Sequence, residues 1–128
     1  MTKDYCLFCD RDNSEKNTII VENELFYARE DNFPVSKGHS EIVPKKHVES
    51  FFELNDDELV QMFDLIKKTK NIMQERHNPD AFNIGINDGE EAGRSIHHLH
   101  IHLIPRYKGD VEIPKGGVRN VIPEKGDY

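Results

Sequence analysis

The sequence predicts an α+β domain, an antiparallel sheet of about five short strands with one long helix. Three observations predict it. Short β-prone runs recur between turn signals, with strand pairs lying close in sequence. One stretch alone carries apolar residues at helical spacing: Leu59, Met62, Phe63, Leu65, Ile66, Ile72 and Met73. No repeat, linker or composition shift divides the 128 residues, so a single domain over 1–128 is expected.

The elements follow in order. TIIVENELFYARE reads as two strands, Thr18 to Val21 and Leu25 to Arg29, joined by a polar turn at Glu22 to Glu24. HSEIVPKKH supplies a third strand from His39 to Val43, entered through Gly38 and stopped by Pro44. The helix is capped by Asn55, carries acidic residues in its first turn and lysines with Arg76 later, and closes at Asn78-Pro79. Two further strands are expected at Phe82 to Ile86 and Ile96 to Ile104, separated by the turn-rich NDGEEAG. Val111 to Tyr128 holds Pro114, Gly116, Gly117, Pro123 and Gly126, which predicts an irregular arm packed on the body or on a neighbouring subunit.

Composition excludes several classes. Lys plus Arg number 17 and Asp plus Glu 24, a formal charge of −7, which disfavours a sequence-independent grip on nucleic acid. No apolar run approaches the roughly 20 residues of a membrane span. Met1 to Asp4 leads straight into CLFC without a leader-like pattern, so a cytoplasmic protein is expected. Two cysteines in the spacing C-x-x-C, Cys6 and Cys9, suit a metal knuckle or a redox pair better than a secreted disulfide framework.

Chemistry is concentrated in SIHHLHIHLIPR, Ser95 to Arg106, which holds four of the seven histidines. On a strand, His98, His100 and His102 share one face while His97, Leu99, Ile101 and Leu103 take the other. Burying imidazoles without partners is costly, so a role beyond packing is expected for the set. Two roles stay open, a metal site and covalent chemistry on a phosphate. The flanks favour phosphate. NDGEEAGRS can turn backbone N–H groups and the Ser95 hydroxyl toward an anion, and Arg106 and Lys108 add positive charge downstream.

The run His98-Leu99-His100-Ile101-His102-Leu103-Ile104 resembles the signature of the histidine-triad (HIT) family, His-φ-His-φ-His-φ-φ with φ apolar. Asp31 with PVSKGHSEIVPKKH is similar to the family's ribose loop and following strand, and NIGINDGEEAG to its phosphate loop. The resemblance covers nearly all of the chain up to Lys108 and implies a HIT-like fold. It implies that His100 attacks the α-phosphorus of a nucleotide, the carbonyl of His98 accepting from its Nδ1–H, with His102 bonding a phosphate oxygen and His39 supporting the triad. Asp31 then matches the ribose-binding position, Asn87 and Ser95 phosphate-contacting positions, and Gly93 a close backbone approach.

The same resemblance implies a structural zinc held by Cys6, Cys9, His47 and His98, a homodimer, and no catalytic cofactor. The implied activity is cleavage of dinucleoside polyphosphates of the diadenosine tetraphosphate kind, releasing AMP, with purine nucleoside phosphoramidates as the alternative substrates. A nucleotide-binding module without turnover and a zinc hydrolase using the triad as ligands are the competing readings. Two positions depart from the family pattern: Arg94 stands where Gln is usual, and Arg29 lies near the base at a position apolar in several members. His97 is expected at the surface or in a dimer contact, and Lys115 or Arg119 of the arm would reach a partner's pocket.

Overall fold

A computed structural model describes residues 5–128; the leader reading of Met1 to Asp4 lies outside them. Local sequence explains where each element begins. Strands β1 (Ile19–Glu22) and β2 (Phe26–Glu30) form a hairpin whose turn is held by Asn23, the Oδ1 of which accepts from Phe26 N–H at 2.8 Å. The Asn23 side chain also donates to the Gln61 carbonyl at 2.9 Å, tying the hairpin to the helix. Strand β3 (Ser40–Pro44) follows, then helix α1 (Asp56–His77), β4 (Ala81–Gly85) and β5 (Ile101–Arg106).

The helix starts with a capping box. Asn55 Oδ1 accepts from Glu58 N–H at 2.8 Å and Glu58 returns a bond from Asn55 N–H at 2.9 Å, which satisfies donors that the first turn leaves unpaired. Asp56, Asp57 and Glu58 sit at the positive end of the helix dipole, Arg76 and His77 at the negative end. Asn78 ends the helix in the left-handed region at φ 50°.

All strand pairs are antiparallel, in the order β1-β2-β3-β5-β4. Alternation along the strands gives the sheet two unlike faces. Phe26, Ala28, Ile42, Ile101 and Leu103 pack with Leu65 and Ile66 of α1 and form the main core. Tyr27 and Val43 point the other way and are covered by Phe8 of the N-terminal segment.

The expected fold class stands; β1, β2 and β3 lie one residue later than expected, with Pro44 paired to Phe26 inside β3 rather than stopping it, β4 lies one residue earlier, and the last strand moves most. The last strand begins at Ile101 rather than Ile96, because the chain from 96 to 100 bends around the site and makes non-ladder bonds such as Leu99 N–H to the Val48 carbonyl at 2.7 Å. It also runs through Pro105 to Arg106, since Pro105 opposes Phe82 and the pairing of β4 with β5 continues past it. In the arm, residues 117–121 and 123–125 form short 3₁₀ turns. Among the described residues no helix is long and apolar enough to cross a membrane.

Gly38 sets the entry to β3. Its φ is +90°, and a Cβ there would lie 2.9 Å from His77 Cδ2 and 3.1 Å from Met73 Sδ at the end of α1. Gly38→Ala is therefore expected to lower unfolding free energy by about 1–3 kcal/mol. Urea denaturation checks this, and a loss below about 0.5 kcal/mol would show that the loop relaxes freely.

Candidate active site

The site lies on the sheet face opposite α1, where cross-strand register lines up four residues. Arg29 of β2 opposes Glu41 of β3, Glu41 opposes His102 of β5, and His102 opposes Gly85 of β4. A cavity of about 300 Å³ opens over this row, with Asp31, Asn87, Gly93, Ser95, His100 and His102 among its lining residues. The structure thus brings together all four expected nucleotide-contact positions and two histidines of the triad. His39 stands behind His102, and His98 turns to a neighbouring cluster.

Hydrogen bonds set the tautomers. A carbonyl only accepts, so His100 Nδ1–H donates to the His98 carbonyl at 2.8 Å and leaves the Nε2 lone pair exposed. His98 Nε2–H donates to the Pro44 carbonyl at 2.8 Å, which leaves the Nδ1 lone pair on its other side. Val35 N–H donates to His39 Nδ1 at 3.1 Å, so His39 carries its proton on Nε2 and gives it to His102 Nδ1 at 3.0 Å. His102 in turn presents Nε2–H as a donor. Burial pushes the pKa of His100 below its usual value, and burial with the neighbouring imidazoles pushes His102 down to about 4. Both rings are neutral near pH 7.

A second cluster adjoins the triad. Cys6, Cys9, His47 and His98 bring two sulfurs and two Nδ1 atoms together, with Sγ to Nδ1 separations of 3.3 and 3.6 Å for Cys6 and of 3.2 and 3.4 Å for Cys9. A tetrahedral ion with bonds of about 2.3 Å to sulfur and about 2.05 Å to nitrogen needs sulfur–nitrogen edges of about 3.5 Å. The residues fit such an ion. The Pro44 carbonyl holds the tautomer of His98 that a ligand requires.

The expectation for Arg106 and Lys108 is corrected. Arg106 is not placed for phosphate: its Nε and Nη2 donate to Asp110 at 2.8 and 2.9 Å, and neither it nor Lys108 lines the cavity. Within the chain, Lys115 donates to the Tyr128 carbonyl and Arg119 lies over the Tyr128 ring. Arg94 lines the cavity while its Nη1 and Nη2 donate to Glu49 at 3.1 and 3.3 Å. Its buried Nε–H has no partner among the described residues. His97 is exposed, 3.7 Å from Glu90.

Sequence reasoning missed Glu41. It is 4% exposed, ion-paired with the buried Arg29, and lies with His100 and His102 in a group whose nitrogen and oxygen atoms are all within 4.8 Å of one another. Burial and the charge of Asp31 push its pKa up to about 7, with Arg29 acting in the opposite sense. The visible signal was a charged residue inside the otherwise apolar EIV run. Its partners depended on register.

This sheet, helix and triad define a histidine-triad protein. The HIT domain profile matches residues 12–109, and the chain belongs to the HIT family. It is 42% identical over 118 residues to an uncharacterized HIT-like protein of Methanocaldococcus jannaschii, covering 91% of each chain. It is similar in structure to a zinc-bound histidine triad family protein from Mycobacterium smegmatis, with a TM-score of 0.72, 30% identity, and coverage of 82% of this chain and 77% of that one. It is also 32% identical over 114 residues to the AP-4-A phosphorylase of Mycobacterium tuberculosis, covering 88% of this chain and 58% of that protein.

The Arg29–Glu41 pair yields a stability prediction. Glu41→Ala leaves a buried guanidinium unpaired and is expected to cost about 3–5 kcal/mol, whereas Arg29→Phe combined with Glu41→Leu recovers most of that loss. Thermal and urea unfolding of both variants check it; equal destabilisation by both would show that the pair is needed by the fold.

Proposed function

We propose that the chain is a nucleotidyl hydrolase or transferase that cleaves dinucleoside polyphosphates at the α-phosphate through a nucleotidyl-histidine intermediate. The observation that carries this reading is the bond from His100 Nδ1–H to the His98 carbonyl, which leaves Nε2 of a neutral imidazole as the nucleophile beside the cavity. Nε2 attacks the α-phosphorus and the bond to the leaving oxygen breaks. The His98 carbonyl stabilises the charge that develops on the ring. Water then cleaves the phosphorus–nitrogen bond, releases the nucleoside monophosphate (AMP from a diadenosine substrate), and restores His100.

The remaining groups have matching roles. His102 Nε2–H, oriented through His39, donates to a phosphate oxygen as charge builds. The Asp31 carboxylate accepts from ribose hydroxyls. Asn87, Ser95 and the backbone at Gly93 bind the phosphates; Gly93 adopts φ +102° there. The unpartnered Arg94 Nε–H supports an anionic, extended leaving group, because a further phosphate oxygen would satisfy it. The name of the mycobacterial AP-4-A phosphorylase agrees with that substrate class. Purine nucleoside phosphoramidates are the alternative substrates.

Cys6, Cys9, His47 and His98 are proposed to hold a structural zinc. Four protein ligands leave no open position for water, so the ion supports the His98 backbone rather than the reaction. No catalytic cofactor is required. A homodimer and a purine nucleotide substrate complete the reading, with neither nucleic acid nor membrane as a partner.

His100→Ala is expected to reduce AMP release from diadenosine tetraphosphate by about 10⁴-fold or more, with adenosine 5′-phosphoramidate measured in parallel to fix the substrate class. Residual activity above a hundredth of wild type would rule out the nucleotidyl-histidine route. Cobalt substitution checks the metal: one equivalent should give tetrahedral visible bands with thiolate charge transfer that Cys9→Ser removes. Chelation is expected to lower the melting temperature by at least about 10 °C. Turnover per folded molecule should persist after metal removal, and its complete loss would instead favour a zinc hydrolase.

A further inference from the structure

Buried ion pairs contribute little stability relative to apolar packing, because desolvation offsets their attraction. Arg29 and Glu41 nevertheless occupy the floor of the cavity, 1% and 4% exposed. Their place on the sheet is informative. Across the row from β2 to β4, they lie on one side of His102, while Gly85 and the following Asn87 lie on the other. In the function proposed above, on which this inference rests, the phosphate lies over His100 and His102 and the ribose at Asp31. The base then falls to the end lined by Leu7, Phe8, Arg29 and Glu41.

We infer that Glu41 reads the base and that the pocket selects guanine over adenine. The guanidinium of Arg29 is committed to the protein: Nε donates to Asn17 Oδ1 at 2.7 Å, Nη1 to Glu41, and Nη2 to the Lys16 carbonyl at 2.9 Å. It also lies 5.0 Å from the ring centre of Phe8, which walls the same end. Beside it lies the Glu41 carboxylate, which also shares a hydrogen bond with Asp31 and keeps further lone pairs with which to accept from a base. Guanine offers N1–H and the 2-amino group side by side, a matched pair of donors for one carboxylate. Adenine offers its amino group next to the N1 lone pair, which a carboxylate oxygen repels. Burial and Asp31 push the Glu41 pKa up to about 7 while Arg29 acts in the opposite sense; the two donors of guanine act with Arg29 and favour the ionised carboxylate.

The test is calorimetric binding of GMP, IMP and AMP to the wild type, to Glu41→Gln, and to the double variant Arg29→Phe with Glu41→Leu, each confirmed folded by circular dichroism. Wild type is expected to bind GMP about tenfold or more tighter than AMP, with IMP, which keeps N1–H but lacks the 2-amino group, in between. Glu41→Gln should lose most of this preference, and the apolar floor of the double variant should bring GMP and AMP within about twofold. Equal binding of the two by wild type, or a preference that survives in both variants, overturns the inference. Hydrolysis of diguanosine and diadenosine tetraphosphate by the same proteins separates the two readings. A GMP preference without turnover supports the base assignment and overturns the proposed catalysis; turnover with equal affinity for the two bases does the reverse.

Discussion

His98 is the residue on which the site depends, because it bonds in three directions at once. Its carbonyl takes the Nδ1–H of His100, its ring Nε2–H is held by Pro44 at the end of β3, and its Nδ1 faces the thiols of Cys6 and Cys9. It is wholly buried, so none of these bonds competes with water and each limits the freedom of the others. Displacing the N-terminal cysteine segment would therefore reach His100 through one residue. The proposed zinc would act in this sense, fastening the Cys6 to Cys9 segment to the residue two positions before His100.

A second constraint is the division of the sheet into two faces. Ile101 and Leu103 anchor β5, and Leu99 the residues just before it, in the core beneath α1, and that anchoring lets the intervening histidines stand in an open cavity without collapsing it. The cost of placing polar groups on the other face is met locally. His39 is bonded at both ring nitrogens, Arg29 has three acceptors, and Tyr27 donates to the Phe8 carbonyl at 2.5 Å. Among the described residues Arg94 Nε is the exception, and an unsatisfied buried donor beside a cavity fits a site built to receive an anion.

Positive charge on the protein follows the same logic. The chain carries a formal charge of −7, and cations that a sequence reading would send to the phosphates are paired where they stand, Arg106 with Asp110 and Arg94 in part with Glu49. In the proposed function, recognition falls to neutral imidazoles, backbone N–H groups and short polar side chains, with the buried Arg94 Nε–H beside them. Such donors bind phosphate without the strong ground-state attraction that clustered guanidinium groups would exert, and they gain most as charge develops on the reacting oxygens.

Much of the molecule was legible from local pattern. The alternation of His98 to Leu103, the helical spacing from Leu59 to Met73, the Asn55 cap and the turn at Gly38 each state a backbone conformation within a few residues, so the fold class and the triad could be read directly. The ends of the last strand could not, because whether residues 96–100 join the ladder depends on Val48 and whether Pro105 stays in it depends on Phe82. The same holds for Glu41, for the engagement of Arg106, and for the meeting of Cys6 and Cys9 with His47 and His98. Residue types and their spacing determined which groups were available for chemistry. Only the tertiary structure decided which of them touch, because register between strands distant in sequence is set by packing across the whole sheet and is written in no single segment.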